Sequence, residues 1–274
     1  MAFIDKQLVL FKKNIENSII TGGVKGKESM IRSSVLINLI HDAVKYEFIA
    51  AGVKPENIYP PFRATSPELK IAGFLKQKDQ DICIVPSGIR KKTTCIDWGP
   101  LAFEEKTDPY GFDFSTNSLV INVRSQMSSL AKNSDTLFER TFAEALNLHM
   151  RYPDIVLGEV YLIPVHEYDD NLVKRNTVGF KNRQTNIEKY ISFFNSINNR
   201  QTAGFDYAYE RCALLIVDFN RDCPYLFKNS DELKHAGYIS EGFGIEYATL
   251  NFHNFVRDIL GVYQRRYDIN NLLL

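Results

Sequence analysis

SLVINVRSQMSSLAKNSDTLFERTFAEALNLHMR, Ser118 to Arg151, is the stretch on which the reading of the fold turns. Leu119, Val120, Ile121 and Val123 surround Asn122, and the run then gives way to Arg124, Ser125 and Gln126. A short apolar run with a polar end predicts a buried strand whose C-terminal tip emerges at a site. Beyond it, Leu137, Phe138, Phe142, Ala145, Leu146 and Met150 recur at helical spacing, which predicts a helix with one buried face. Asp135 is placed near the start of that helix, where a carboxylate suits the positive end of the dipole. Glu139 and Arg140 follow about one turn further in. A polar strand tip followed by inward carboxylates is a place to hold a metal ion.

Outward from this stretch, Asp81–Pro86, Ile155–Val165 and Ala213–Phe219 read as further strands, and LKIAGFLKQKDQ (69–80) as a bend or hairpin entering the first of them. TTCIDW (93–98) is a possible short strand. Amphipathic spacing predicts helices over 3–19, 30–51, 187–198 and 246–263, with Gly52 closing the second. Residues 53–70, 166–186 and the turn Asn198–Gly204 read as loops. TGGVKGKES (21–29) resembles a phosphate loop only superficially. Thr21 stands where the pattern needs Gly, and Glu28 where it needs Ser or Thr, so a flexible Gly/Lys loop is expected. The sum is one α/β domain over 1–274: a mixed central sheet flanked by helices, with a helical N-terminal part over about 1–60.

The 33 basic and 33 acidic residues cancel. Zero net charge argues against an unspecific polycation, but not against a local basic groove. Cys83, Cys95, Cys212 and Cys223 lack the short spacing of structural zinc sites and read as reduced, buried thiols. Asp5 and Lys6 break the first apolar run, and no stretch approaches the length of a membrane span. A cytoplasmic protein without a membrane partner is expected.

Phosphodiester hydrolysis by a magnesium nuclease needs two or more carboxylates on a divalent ion and a cation near the attacked phosphate. Asp81 opens one strand. Asn122 and Arg124 share a face of the next strong strand by alternation. In order and setting this resembles the PD-(D/E)xK restriction-endonuclease superfamily, over roughly residues 30–220. Asn122 occupies the acidic position of the strand triplet and Arg124 the lysine position. In some members a glutamate on the following helix replaces the strand carboxylate.

The resemblance implies a restriction-endonuclease-like fold and a Mg2+-dependent type II restriction enzyme that cuts double-stranded DNA as a homodimer. Asp81, Asn122, Arg124 and Glu139 would be catalytic. Asp81 and Glu139 would hold the metal, with Glu144 in reserve. Glu47 is the choice if the helix over 30–51 adds a carboxylate.

For DNA contact the candidates are Arg90, Lys91, Lys92, Lys132, Lys174, Arg175, Lys181 and Arg183. Asn and Gln are abundant over 176–201 and can read adenine, although a solvated polar surface accounts for them equally well. The Asn-x-Arg replacement also motivates a non-cleaving DNA-binding or scaffold protein of the same fold. A third class, an α/β protein unrelated to nucleic acid, gains little from Ser125, His149 and His166, because Ser125 is not on a nucleophile elbow.

Overall fold

The computed structural model describes residues 1–201 and 204–274. Residues 202 and 203, within the turn expected over Asn198–Gly204, lie outside the described residues. The chain opens with two long helices, α1 (Phe3–Arg32) and α2 (Ser34–Ala50). Short strands β1 (Ile58–Tyr59), β2 (Leu69–Ala72), β3 (Gln77–Gln80), β4 (Ile82–Ile84) and β5 (Thr94–Cys95) follow. Next come α3 (Pro100–Phe103), β6 (Thr107–Asp108) and α4 (Phe112–Thr116). The quoted stretch then forms β7 (Leu119–Ser125) and α5 (Leu130–His149). β8 (Val156–Pro164), β9 (His166–Tyr168), α6 (Asp170–Val173), β10 (Phe180–Gln184) and α7 (Ile187–Ser196) come next. β11 (Arg211–Asp218), β12 (Tyr225–Leu226), α8 (Ser230–His235) and α9 (Phe252–Arg266) complete the order.

Six strands form the central sheet in the order β1-β4-β7-β8-β11-β12. β7, β8 and β11 run parallel, while β1, β4 and β12 join antiparallel to their neighbours. The strand order advances in one direction from β7 to β11. Right-handed crossovers then carry α5 and α7 to one face of the sheet. Alternation divides the core accordingly. Ile121, Val123, Val160 and Leu162 pack with α1, α2 and α9, while Val120, Leu157, Tyr161 and Ile163 pack with α5, α7 and α8. A mixed sheet with helices on both faces is the architecture expected from the sequence.

Gly158, in the middle of β8, allows α9 to pack closely. A Cβ there would lie 2.6 Å from Ile121 Cδ1 and 2.7 Å from Phe255 Cζ. Among the described residues no helix is long and apolar enough to cross a membrane.

Three local expectations are corrected. The stretch 21–29 is helical, not a loop, and continues α1 past a kink at Gly23, whose φ is 55°. Asn176 Nδ2 donates to the Ile20 carbonyl at the kink, and buried Lys27 pairs with Asp170 at 3.0 Å. These distant partners hold the second half of the helix in place. The central helix starts at Leu130, so Asp135 is a turn inside it rather than near its start. All four cysteines are free, but only Cys83 and Cys212 are buried.

Candidate functional site

The hairpin of β2 and β3 pairs Leu69 with Gln80 and Ala72 with Gln77. Its turn docks on α5 at Asn147, whose backbone carbonyl accepts from the Phe74 amide at 2.6 Å, and Arg151 Nε just beyond the helix donates to the Gly73 carbonyl at 2.9 Å. Asn147 Oδ1 accepts from the amides of Leu75 (2.7 Å) and Lys76 (3.2 Å), and its Nδ2 donates to the Lys76 carbonyl (3.3 Å). Docking lays Lys78 over the sheet, where its ammonium reaches Glu144 Oε2 at 2.7 Å. Asp81 follows at the start of β4. Its Oδ2 accepts from the Val123 amide on β7 at 2.8 Å, so the carboxylate is seated at the end of the β4–β7 ladder.

Glu159 faces α5 from β8 and is fully buried. It is the Cα partner of Asn122 on β7. Arg124, two residues further along β7, donates through Nη1 to Glu159 Oε1 (2.9 Å) and to Thr141 Oγ1 (2.7 Å). Its Nη2 donates to Glu144 Oε2. Arg140 adds a contact at 3.2 Å to Glu144 Oε1. Tyr209 closes the floor: Asn122 Nδ2 donates to its hydroxyl at 3.4 Å, and that hydroxyl donates to the Thr141 carbonyl at 2.9 Å. The result is Asp81, Glu144 and Glu159 set among Lys78, Arg124 and Arg140.

Burial and these neighbours separate the carboxylates electrostatically. Burial pushes Glu159 up to about 7, with Glu144 and Asp81 adding to the rise and Arg124 opposing it. Burial also acts to raise Glu144, but Arg124, Lys78 and Arg140 outweigh it and hold Glu144 down at about 2. Burial disfavours the charged form of Arg124, and the anionic neighbours, Glu159 foremost, more than restore it. Within the cluster Glu144 is thus held ionised, Glu159 titrates near neutral pH and Arg124 stays charged. A polar gap of about 10 Å3 opens beside Lys78, Gln80, Asn122 and Glu144.

The structure brings together Asp81, Asn122, Arg124 and Glu144 from the sequence-derived set. Glu139 stands apart, on the exposed side of α5. A helix that places Glu144 and Thr141 inward turns residue 139 away, two residues before Thr141 being about 200° around the axis. The metal set Asp81, Glu139 and Glu144 therefore does not assemble. Glu47 takes no part in these bonds.

Glu159, Lys78 and Tyr209 were missed by the sequence reading. Glu159 had a signal, as the single charged residue in IVLGEVYLIPV.

Among the described residues, no group of three or more His, Cys, Asp or Glu side chains is placed to hold a metal. Magnesium, however, commonly takes only one or two protein carboxylates, completed by water and substrate phosphate. Glu159 Oε2, Asn122 Oδ1 and Gln80 Oε1 are buried acceptors with no hydrogen-bond partner among the described residues. Carboxylate and amide oxygens are the hard donors that magnesium takes.

The eight basic candidates divide. Lys132, Lys181 and Arg183 line one cleft of about 460 Å3 beyond the C-terminal ends of β7 and β8. Arg90, Lys91 and Lys92 follow β4, which runs antiparallel to β7, and so lie toward the other end of the sheet. The Lys91 ammonium sits among the rings of Tyr59, Tyr110 and Phe114 at 5.2–5.8 Å. Lys174 and Arg175 are exposed after α6, which packs on α1.

No family model, curated protein or solved structure matches this chain.

Proposed function

We propose that this chain is a sequence-specific double-stranded DNA endonuclease of the type II restriction class, restriction-endonuclease-like in fold and acting with Mg2+ as a homodimer. One observation carries the reading. Asp81, the Asn122/Arg124 pair and Glu159 stand on three neighbouring strands, β4, β7 and β8, beneath a helix that supplies Glu144. Charged side chains are rarely placed inside a sheet without a task, because each costs several kcal/mol to desolvate, and perturbed carboxylates gather at functional sites.

In this reading Asp81 and Glu159, with Asn122 Oδ1, would hold the ion. Bound there, a divalent ion supplies charge neutralisation to a phosphodiester. Arg124 cannot act as a proton acceptor, because it is always charged. It steadies negative charge on the phosphate and orients Glu159. Lys78, a quarter exposed, stands at the mouth as the first cation a phosphate meets.

The test is incubation of the protein with unmethylated plasmid or phage DNA, with magnesium and with EDTA. Discrete magnesium-dependent fragments are expected, and intact DNA under all conditions removes the cleavage reading.

A second reading, a DNA-binding or scaffold protein of the same fold that does not cut, is favoured by a separate observation. Lys78, Arg124 and Arg140 all converge on Glu144, so internal cations already balance the carboxylates. That protein would bind DNA in a gel shift without hydrolysing it.

A further inference from the structure

The cleft of about 460 Å3 is bounded by the first turn of α5, the first turn of α7 and the β9–β10 hairpin. Four cations line it, Lys132, Lys181, Arg183 and Lys189, against one carboxylate, Glu167. That carboxylate is already committed. Its Oε1 accepts from the Leu130 amide at 2.7 Å and its Oε2 from Lys181 at 2.8 Å. Lys181 is further held by Asp170 at 2.8 Å, and Lys189 by Asp135 at 2.5 Å and Ser134 at 2.8 Å. Among the described residues, Lys132 and Arg183 have no carboxylate within salt-bridge distance. Both are exposed. In a chain of zero net charge, this is a local concentration of positive charge with two cations to spare.

The cleft also stands in a defined relation to the buried carboxylates. It lies on the α5 side of the sheet, beyond the carboxyl ends of β7 and β8, where open α/β sheets receive ligands. Ser134 on its wall and Glu144 share α5, and the ten residue steps from one to the other span about 15 Å at the helical rise. That is the axial length of about four base steps of duplex DNA. The four cations come from three different elements around the opening, α5, β10 and α7. A cleft lined in this way suits the phosphates of a strand.

We propose that this cleft is the seat of the DNA backbone, with Lys132 and Arg183 each neutralising a phosphate a few steps along the strand from the carboxylate cluster, and Lys181 and Lys189 forming its fixed walls. The inference rests on the DNA reading above and narrows it. It assigns the contact to this cleft, not to Arg90–Lys92 at the other end of the sheet or to Lys174 and Arg175 beside α6.

The test is the affinity for a random-sequence duplex, measured against salt concentration without magnesium. Each phosphate contact contributes about −0.9 to the slope of log affinity on log salt. The double variant K132A/R183A should flatten the slope by about 2 and weaken binding most at low salt. K174A/R175A should leave the slope unchanged. Thermal melting of both variants should match the parent, and R183E, which reverses one charge, should weaken binding beyond R183A. DNA binding by the parent with an unchanged slope in K132A/R183A overturns the cleft and leaves the DNA reading standing. Absence of salt-dependent DNA affinity in the parent overturns both.

Discussion

Arg124 Nη1 and Glu159 Oε1 lie 2.9 Å apart, both buried or nearly so, and join neighbouring parallel strands beneath α5. The bond is diagonal: Arg124 is in register with Tyr161, and Glu159 with Asn122. It ties the strand that carries the Asn-x-Arg pair to the strand that carries the buried carboxyl. Removing one partner of a buried pair leaves an uncompensated charge, which typically costs about 3–5 kcal/mol. Arg124→Met should therefore lower the denaturation midpoint sharply, since it removes the guanidinium bonded to buried Glu159, while Glu144 keeps Lys78 and Arg140. Glu159→Gln should cost less, because a carboxyl held at about 7 is only half ionised at pH 7, and Arg124 keeps Glu144 as a partner. An equal loss in the two variants, measured by urea unfolding, would contradict this assignment.

Glu139 and Glu144 are separated by little more than one helical turn but have opposite environments. Glu139→Ala should change stability by no more than about 0.5 kcal/mol, as exposed positions usually do, and should leave DNA cleavage intact. Glu144→Ala should reduce cleavage by at least about a hundredfold and destabilise the fold. A nuclease assay with melting curves on both variants decides the matter, and loss of activity in Glu139→Ala alone would return that residue to the mechanism.

Acid stability should reflect Glu210, a buried carboxylate at the opposite end of the sheet from the cleft. Burial acts to raise it, but His149, Arg266 and the Leu157 amide hold it down at about 2. Arg200 also binds it, at 3.0 Å. A depressed acid contributes stability that is present above the ordinary value of 4.5 and is lost as pH falls through about 2. The gap corresponds to about 3 kcal/mol at 1.36 kcal/mol per pH unit. Glu144 acts in the same direction. Glu159 acts in the other, favouring the fold below 4.5 and losing that contribution as pH rises through about 7. Glu210→Gln should flatten unfolding free energy between pH 4.5 and 2, and a parent-like slope in that variant would show that other groups govern the acid limb.

Gly158→Ala should destabilise by about 1–3 kcal/mol, the usual cost of overpacking, because the added methyl meets Ile121, Phe255 and Ile259 side chains within 2.8 Å. Chemical denaturation reads this directly, and a neutral result would mean that α9 can retreat from the sheet.

Asn147→Ala should cost about 1–3 kcal/mol, because it leaves the hairpin amides of Leu75 and Lys76 without acceptors. Proteolysis within 73–78 should also increase as the hairpin detaches. Unchanged protection of that segment would show that the hairpin is held by other bonds.

The quoted stretch disclosed its strand and helix because both carry strong periodicity over a single span. That Asn122 and Arg124 share one face of the strand followed from alternation alone. What stayed hidden was pairing. Glu159 stood out in its strand, yet nothing local reveals that β8 lies beside β7 with Glu159 opposite Asn122. The choice between Glu139 and Glu144 depended on the rotation of α5, which is set by packing against α7 and Tyr209. The helical path through 21–29 depended on Asp170 and Asn176, about 150 residues away along the chain. Its glycines taken alone suggested a loop.

The outermost strands of the main sheet, Ile58–Tyr59 and Tyr225–Leu226, are two residues long. An edge that short leaves few free amides and carbonyls for another chain to pair with, which guards against uncontrolled strand addition. Joining two copies by continuing one sheet into the next is thereby disfavoured. On the endonuclease reading, a twofold assembly welded through helix faces or loop side chains would have the spacing between its two halves, and hence between paired cuts in DNA, set by those surfaces and not by a shared sheet.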